Sequence, residues 1–209
     1  MKMLKVLAVA LATMGSASAA LYTVQTGTGA TINGFANSAG VGLQGTGGSM
    51  SFGYFNISDA QITTTTDFST LLSSFVSFAG PGTFAIAGPI GQRGAVSVAG
   101  NQQVAGTAFD GKSIYAVVGN SSTLAGATEL AVLKTTSMFE AAQDLIPTPA
   151  VVTLNTSGTL LFGTPLADLR TTTADSSVNV GFATAPIPEP SAALLGALGA
   201  LGLLRRRRI

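Results

Sequence analysis

Short apolar stretches separated by glycine, asparagine and aspartate run through the chain from residue 20 to about residue 185. Turn-forming residues at such short intervals are typical of mostly antiparallel β-structure. The stretches rich in β-branched and aromatic residues predict strands at residues 22–25, 31–36, 51–57, 84–87, 95–99, 104–109, 113–118, 129–134, 151–154, 159–162 and 178–183. The pattern therefore predicts a mainly β domain, either an antiparallel sandwich or a partly closed barrel.

One hairpin is indicated by the dipeptide Asp110-Gly111, which separates the predicted strand 104–109 from an apolar run at residues 112–118. Asp-Gly readily takes the positive φ angles of a type I′ turn. We therefore predict that the two strands pair directly, with Asp110 as a turn residue rather than a calcium ligand.

One packed helix is predicted by apolar residues that recur every three or four positions from Phe68 to Phe78. Asp67 stands where an N-cap residue is expected, and Gly80-Pro81 is a typical stop signal. We interpret the apolar stripe as a surface that packs against a sheet rather than one that binds a cofactor.

Three further segments have a local interpretation. Residues 136–144 are predicted to form a short helical turn, and the threonines at 63–66 suit either a strand or a linker into the helix. The letters from Gly40 to Gly45 match a dinucleotide-binding fingerprint, but no convincing strand precedes them and glycines follow where a helix should start. We interpret this stretch as a glycine loop between strands.

The N-terminal residues match a signal peptide. A start with two lysines leads into an apolar run at residues 4–14, and the small-residue box Ala17-Ser18-Ala19 follows. Cleavage after this box would make Ala20 the first residue of the mature protein. We therefore expect signal peptidase to remove residues 1–19 and the chain to be exported.

The C-terminal residues form a tail in three parts: the motif Pro188-Glu189-Pro190-Ser191, an apolar segment at 192–204, and the cluster Arg205-Arg206-Arg207-Arg208. As a helix the apolar segment would be about 20 Å long, shorter than the hydrocarbon core of about 30 Å. The arginines would stay on the cytoplasmic side and stop translocation. The tail therefore predicts a short transmembrane helix that anchors the chain transiently in the inner membrane.

The order of these three parts resembles the PEP-CTERM sorting signal of Gram-negative bacteria, the tail that exosortases process. The resemblance covers residues 187–209 and assigns Pro188, Glu189 and Pro190 as the recognition motif. It implies that an exosortase-type membrane protease cuts near the motif, and it implies an exopolysaccharide or biofilm setting. The rest of the chain is similar to small exported β-rich proteins that carry this tail, and that similarity implies no activity.

The net charge of +1 hides an acidic body, because the ends hold six of the ten basic residues. Without those six residues the chain keeps only Arg93, Lys112, Lys134 and Arg170 against nine acids, one of which is Glu189 of the tail, a net charge of −5. Four scattered cations do not supply the clustered phosphate contacts on which nucleic-acid binding depends. The composition therefore excludes nucleic acid as a partner.

Three residue types are missing from the chain: cysteine, histidine and tryptophan. Their absence excludes disulfides, a cysteine nucleophile, a Ser-His-Asp triad and zinc held by cysteine or histidine. We therefore expect no enzyme activity and no cofactor.

The carboxylates are spread singly along the sequence, at Asp59, Asp67, Asp110, Glu129, Glu140, Asp144, Asp168, Asp175 and Glu189. Two of them could meet as an acid and base pair, but their spacing selects no particular two. The chain has no EF-hand loop, and a calcium ion held between loops stays an alternative.

Residues that could carry or bind sugars are also present. The glycosylation pattern occurs at Asn56, Asn120 and Asn155, as expected by chance in a chain so rich in serine and threonine. Tyr22, Tyr54 and Tyr115 could stack on sugars, but they occupy strand positions where packing is the more ordinary role.

The sequence thus predicts a signal peptide at residues 1–19, one β-rich exported domain at 20–185 with a single packed helix, and a sorting tail at 186–209. The predicted role is a structural protein of the cell surface or extracellular matrix, associated with exopolysaccharide. A carbohydrate-binding or adhesive module is the first alternative, and an exported hydrolase with two carboxylates is the second.

Overall fold

The computed structural model describes residues 21–26, 34–84, 98–104, 106–140, 150–152, 158–172 and 175–186. The predicted signal peptide, with Ala17, Ala19 and Ala20, lies outside these residues. So does the sorting tail from residue 187 onward, with its motif Pro188-Glu189-Pro190-Ser191 and its cluster Arg205-Arg206-Arg207-Arg208.

The described residues are mainly β, as predicted, with short helices between strands. The strands are β1 (Leu21–Thr26), β2 (Gly34–Ala36), β3 (Gly45–Phe55), β4 (Phe75–Phe84), β5 (Ala99–Gln103), β6 (Ser113–Gly119), β7 (Glu129–Met138), β8 (Ala150–Val152), β9 (Thr159–Phe162), β10 (Thr164–Thr172), β11 (Asp175–Ala183) and β12 (Ala185–Pro186). The helices are α1 (Asp59–Thr64), α2 (Phe68–Ser74) and a 3-10 turn (Leu124–Gly126).

The largest sheet has the order β12-β7-β6-β3-β4, and β9 also pairs with β7. All of its pairs are antiparallel. Two smaller sheets have the orders β5-β1-β8 and β10-β11-β2, and each contains one parallel pair. The mostly antiparallel arrangement agrees with the sequence pattern.

The predicted hairpin at Asp110-Gly111 is wrong. Residues 106–111 form turns rather than a strand, and the neighbouring strand β5 has already ended at Gln103. The Lys112 amide donates to the Phe109 carbonyl, but only Gly111 has a positive φ, so a type I′ turn does not form. Strand β6 pairs instead with β3 and β7, and its residues from Ile114 to Gly119 are buried there.

The predicted helix is confirmed at its start and wrong at its end. The Asp67 side chain caps α2 by accepting from the Ser69 amide at 3.0 Å. The helix stops at Ser74, and the remaining phenylalanines belong to β4, which pairs along β3. Gly80-Pro81, predicted as a stop, lies inside β4 with a cis peptide bond. Sheet pairing has overridden the helical spacing.

Three other expectations also need correction. The predicted helical turn at 136–144 is wrong at its start, because β7 continues to Met138. Residues 141–144 lie outside the described residues. The glycine loop is shorter than predicted, because β3 already begins at Gly45. The prediction of a single helix missed α1, which begins with a capping box between Ser58 and Gln61.

The core surrounds β6, whose residues from Ile114 to Gly119 are buried on both faces of the sheet. Ile62 of α1 and Leu71 of α2 are fully buried in the same core. Glycine is required at Gly53, because a Cβ there would lie 2.1 Å from the Val76 carbonyl oxygen. This close approach lies between the paired strands β3 and β4.

Candidate functional site

Two carboxylates in the described structure accept hydrogen bonds from residues that are distant in sequence. Asp59 contacts Tyr115 and Lys134, and these three residues are called the Asp59 cluster. Glu129 accepts hydrogen bonds from Ser38 and Thr184, and these three are called the Glu129 cluster. Each cluster joins segments that are far apart in sequence.

The Asp59 cluster fastens the first turn of α1 to the large sheet. The Tyr115 hydroxyl, on β6, donates to Asp59 Oδ1 at 2.7 Å, and Lys134 Nζ, on β7, lies 2.7 Å from Oδ2. Lys134 Nζ also lies 5.8 Å from the centre of the Tyr115 ring. Both oxygens of the carboxylate therefore have a donor from the sheet.

The pKa shifts of Asp59 and Tyr115 keep these two groups in their ordinary charge states. The hydrogen bonds from Lys134 and Tyr115 lower the pKa of Asp59 below its usual value of 3.8. Burial, together with the hydrogen bond to Asp59, raises the pKa of Tyr115 above its usual value of 10.0. A general acid or base works best with a pKa near the operating pH, and both shifts move away from neutrality. The cluster is thus suited to holding α1 in place.

The Glu129 cluster lies at the start of β7. Ser38 donates to Glu129 twice, from its amide to Oε2 at 2.8 Å and from its hydroxyl to Oε1 at 2.6 Å. The Thr184 hydroxyl donates to Oε2 at 2.6 Å, and the Thr184 amide donates to the Ala36 carbonyl at 2.8 Å. The carboxylate therefore joins the loop after β2 to the residue just before β12.

Two opposing effects act on the pKa of Glu129. Burial raises it, but the hydrogen bonds from Ser38 and Thr184 outweigh burial, and the pKa lies below its usual value of 4.5. Asn120 supports the same point of the chain, because its Oδ1 accepts from the amides of Thr128 and Glu129 at 2.9 and 3.0 Å. Asn120 is thus a structural residue of the β6–β7 connection.

Strand β12 lies beside this cluster. Strand β12 pairs with β7 through Ala185 with Leu130 and Pro186 with Glu129. Pro186 is exposed and is the last described residue, two positions before the predicted motif begins at Pro188. The Glu129 cluster therefore holds the segment that directly precedes the predicted sorting tail.

The other carboxylates belong to neither cluster or lie outside the described residues. Asp67 caps α2, Asp110 is in the turn before β6, and Glu140 is exposed after β7. Asp168 and Asp175 lie in β10 and β11, whereas Asp144 and Glu189 are outside the described residues. No group of three or more potential metal ligands occurs among the residues that are described.

The tyrosines with described side chains are packing residues. Tyr54 and Tyr115 are 5% and 7% exposed, too little to offer a face to a sugar. Tyr54 makes an edge contact with Phe109 at 5.1 Å, and Tyr115 makes one with Phe55 at 5.3 Å. Tyr22 lies in β1, where side chains are not described.

The helices of the described segments are all too short or too polar to cross a bilayer. The predicted membrane segment at 192–204 lies outside those segments. Its role in anchoring stays a prediction from the sequence.

Neither cluster was identified from the sequence. The Asp59 cluster had a readable signal, because Ser58 and Gln61 have the spacing of a capping box and place Asp59 in a first helical turn. The Glu129 cluster had none, because Ser38 and Thr184 lie 91 and 55 positions away from Glu129.

Comparison of the chain with models of protein families, with curated proteins and with solved structures finds no match.

Proposed function

We propose that this protein is an exported, non-catalytic component of the cell surface or extracellular matrix, whose C-terminal tail is processed by an exosortase-type membrane protease. The signal peptide pattern at residues 1–19 and the tail at 187–209 support export and sorting. After processing, the protein would act as a structural element associated with exopolysaccharide.

The observation that carries the proposal is the position of Pro186. This residue is exposed in β12, at an edge of the large sheet. The motif at Pro188-Glu189-Pro190 begins two residues later. A cut at or after the motif would therefore leave β12 in the processed protein.

The geometry of the described carboxylates supports a non-catalytic role. Asp59 is bound to an amine and a phenol, and Glu129 to two hydroxyls, so each has partners other than a second carboxylate. The two-carboxylate hydrolase, which needs an acid and a base facing one cleft, is therefore less well supported. The sugar-binding alternative loses Tyr54 and Tyr115, which are buried in the core.

The finer architecture belongs to the same proposal. Strand β6 is buried on both faces, which supports a sandwich in which other layers cover the large sheet.

Mass spectrometry of both termini tests the proposal. The full chain is expressed in a Gram-negative host that has an exosortase-type protease and in a matched strain without it, and the protein is recovered from the cell surface and medium. We expect a mature start at Ala20 and loss of Arg205–Arg208 only in the strain with the protease. Recovery of surface protein with the arginines intact in that strain would contradict the proposal.

A matched variant separates motif recognition from general proteolysis. Replacing Glu189 with Gln keeps the size of the side chain and removes its charge, and we expect it to slow processing. Ala192→Ser, a small change outside the motif, serves as the control and is expected to be processed as the parent is.

A further inference from the structure

We propose that the end of the body around Pro186 is a docking surface for the membrane protease that processes the tail. The surface, called the exit face, consists of exposed residues in the loops at 38–41 and 121–128, together with Pro186. This inference rests on the proposed function, and it adds a recognition surface in the folded body to the motif in the tail.

The two loops meet at one place because both are joined to Glu129. The first loop is held by Ser38, which donates to the Glu129 carboxylate. The second is held by Asn120, which accepts from the Glu129 amide. Pro186 pairs with the same residue across the sheet. Pro186 therefore lies beside both loops.

The chain after Pro186 is too short to keep the exit face far from the membrane. Ala192 is the first residue of the apolar segment, and an extended chain spans at most about 3.5 Å per residue. Pro186 therefore lies within about 20 Å of the point where the tail enters the bilayer. While the tail is inserted, the exit face is the side of the body nearest to the membrane.

The cleavage site lies within this same gap. A protease that cuts near Pro188-Glu189-Pro190 acts on chain that begins two residues after Pro186. Endopeptidases that bind an extended substrate hold several residues through main-chain hydrogen bonds. An enzyme bound to the motif would therefore lie against the exit face.

The chemistry of the exit face fits a protein partner better than a lipid surface. Residues 38–41 and 121–128 include no lysine, arginine, aspartate or glutamate. A face without basic residues gains little from anionic headgroups. Exposed serines and threonines offer hydrogen bonds, and Val41, 61% exposed, offers an apolar contact.

Processing kinetics of the full chain in membranes that contain the protease test the proposal. Ala39→Asp and Ser122→Asp each place one charge on the exit face, in different loops. Ala108→Asp is the matched control, because Ala108 is an exposed turn residue near the start of β6, the end remote from the exit face. We expect each exit-face variant to be processed about tenfold more slowly, the effect of a charge left unpaired in an interface, and the control to match the parent.

A second experiment uses variants that carry a flexible insertion after Ile187. Lengthening the tether releases the body from the protease, so we expect the difference between Ala39→Asp and the parent to shrink. Thermal unfolding of each variant identifies any that fail to fold. Because Ala39→Asp and Ser122→Asp lie in separate loops, the processing rate of each can be interpreted even if the other variant does not fold.

The outcomes distinguish the two proposals. If the parent chain is not processed in these membranes, the proposed function fails. If the parent is processed and both exit-face variants keep its rate, the tail is processed but the exit face is not a docking surface. Protection of residues 38–41 from hydrogen exchange by anionic lipid vesicles without protease would also overturn the proposal, in favour of a lipid partner.

Discussion

Replacing Tyr115 with Phe removes one hydroxyl from the Asp59 cluster and leaves the ring in place. The lost contact is the hydrogen bond from the phenol to Asp59 Oδ1, 2.7 Å long, which joins β6 to the first turn of α1. Asp59 keeps Lys134 at 2.7 Å from its other oxygen. The change therefore isolates one hydrogen bond to a charged group.

The expected loss of stability follows from the exposure of the partners. A hydrogen bond to a charged group contributes about 1.5–3 kcal/mol. The Asp59 side chain is 39% exposed, so water replaces part of the lost bond, and we use the lower end of that range. Tyr115→Phe should therefore lower the free energy of unfolding by about 1.5 kcal/mol. Lys134→Met should cost less, about 0.5 kcal/mol, because an ion pair with both side chains at least one-third exposed is weak.

Urea unfolding of the purified chain, followed by circular dichroism, measures these differences. Asp110→Asn is the control, because Asp110 is an exposed turn carboxylate. The reasoning about the cluster would be refuted if Tyr115→Phe unfolded like the parent, or if Lys134→Met were the more damaging change. The double variant Tyr115→Phe with Asp59→Asn should cost less than the sum of its parts, because both remove the same bond.

Three other predictions concern the core and its edges. Ser49→Ala should raise the unfolding midpoint by the equivalent of about 1 kcal/mol, because the Ser49 hydroxyl is buried with no hydrogen-bond partner among the described residues; an unchanged or lower midpoint in a thermal melt would contradict this. Gly53→Ala should lower the free energy of unfolding in urea by about 3 kcal/mol or more, because its Cβ would lie 2.1 Å from a backbone oxygen. Gly106→Ala meets open space and should cost only about 1–2 kcal/mol, because Gly106 has a positive φ of 71°. Equal losses for the two variants would argue against close packing at Gly53. The pKa of Asp59 is lower in the folded state than its usual 3.8, so the stabilisation by its cluster is present above about pH 4 and is lost as pH falls through the folded pKa. The protection of the α1 amides from hydrogen exchange, measured relative to the intrinsic exchange rate at each pH, should therefore decrease from pH 6 to pH 3, and decrease less in Asp59→Asn.

Sequence patterns identified the elements whose structure agrees with the preferences of their own residues. Residues 113–118 are apolar and β-branched, and they form β6 at the centre of the largest sheet. Asp67 was recognised as an N-cap because a helix start depends on side chains within three residues. Both features depend on residues that are close together in the sequence.

Strand β4 was missed because it forms by pairing with β3, which is distant in sequence. Phe75 and Phe78 continue a helical spacing, but in the structure Phe75 packs against Phe55 and Phe78 against Phe109, at centroid distances of 5.1 and 5.0 Å. The same cause hid the Glu129 cluster, whose members come from three separate parts of the chain. Local patterns contain no information on such contacts.

The bonds made by Thr184 set the order in which the protein can fold. Thr184 binds the Ala36 carbonyl, 148 positions earlier, and β2 pairs in parallel with β11. Synthesis proceeds from the N-terminus, so β2 has no partner in its sheet until residues 175–184 have appeared. Contacts between distant residues also form slowly. The nascent chain therefore stays incomplete until almost all of the body has been made, and its last segment is the one that closes the structure.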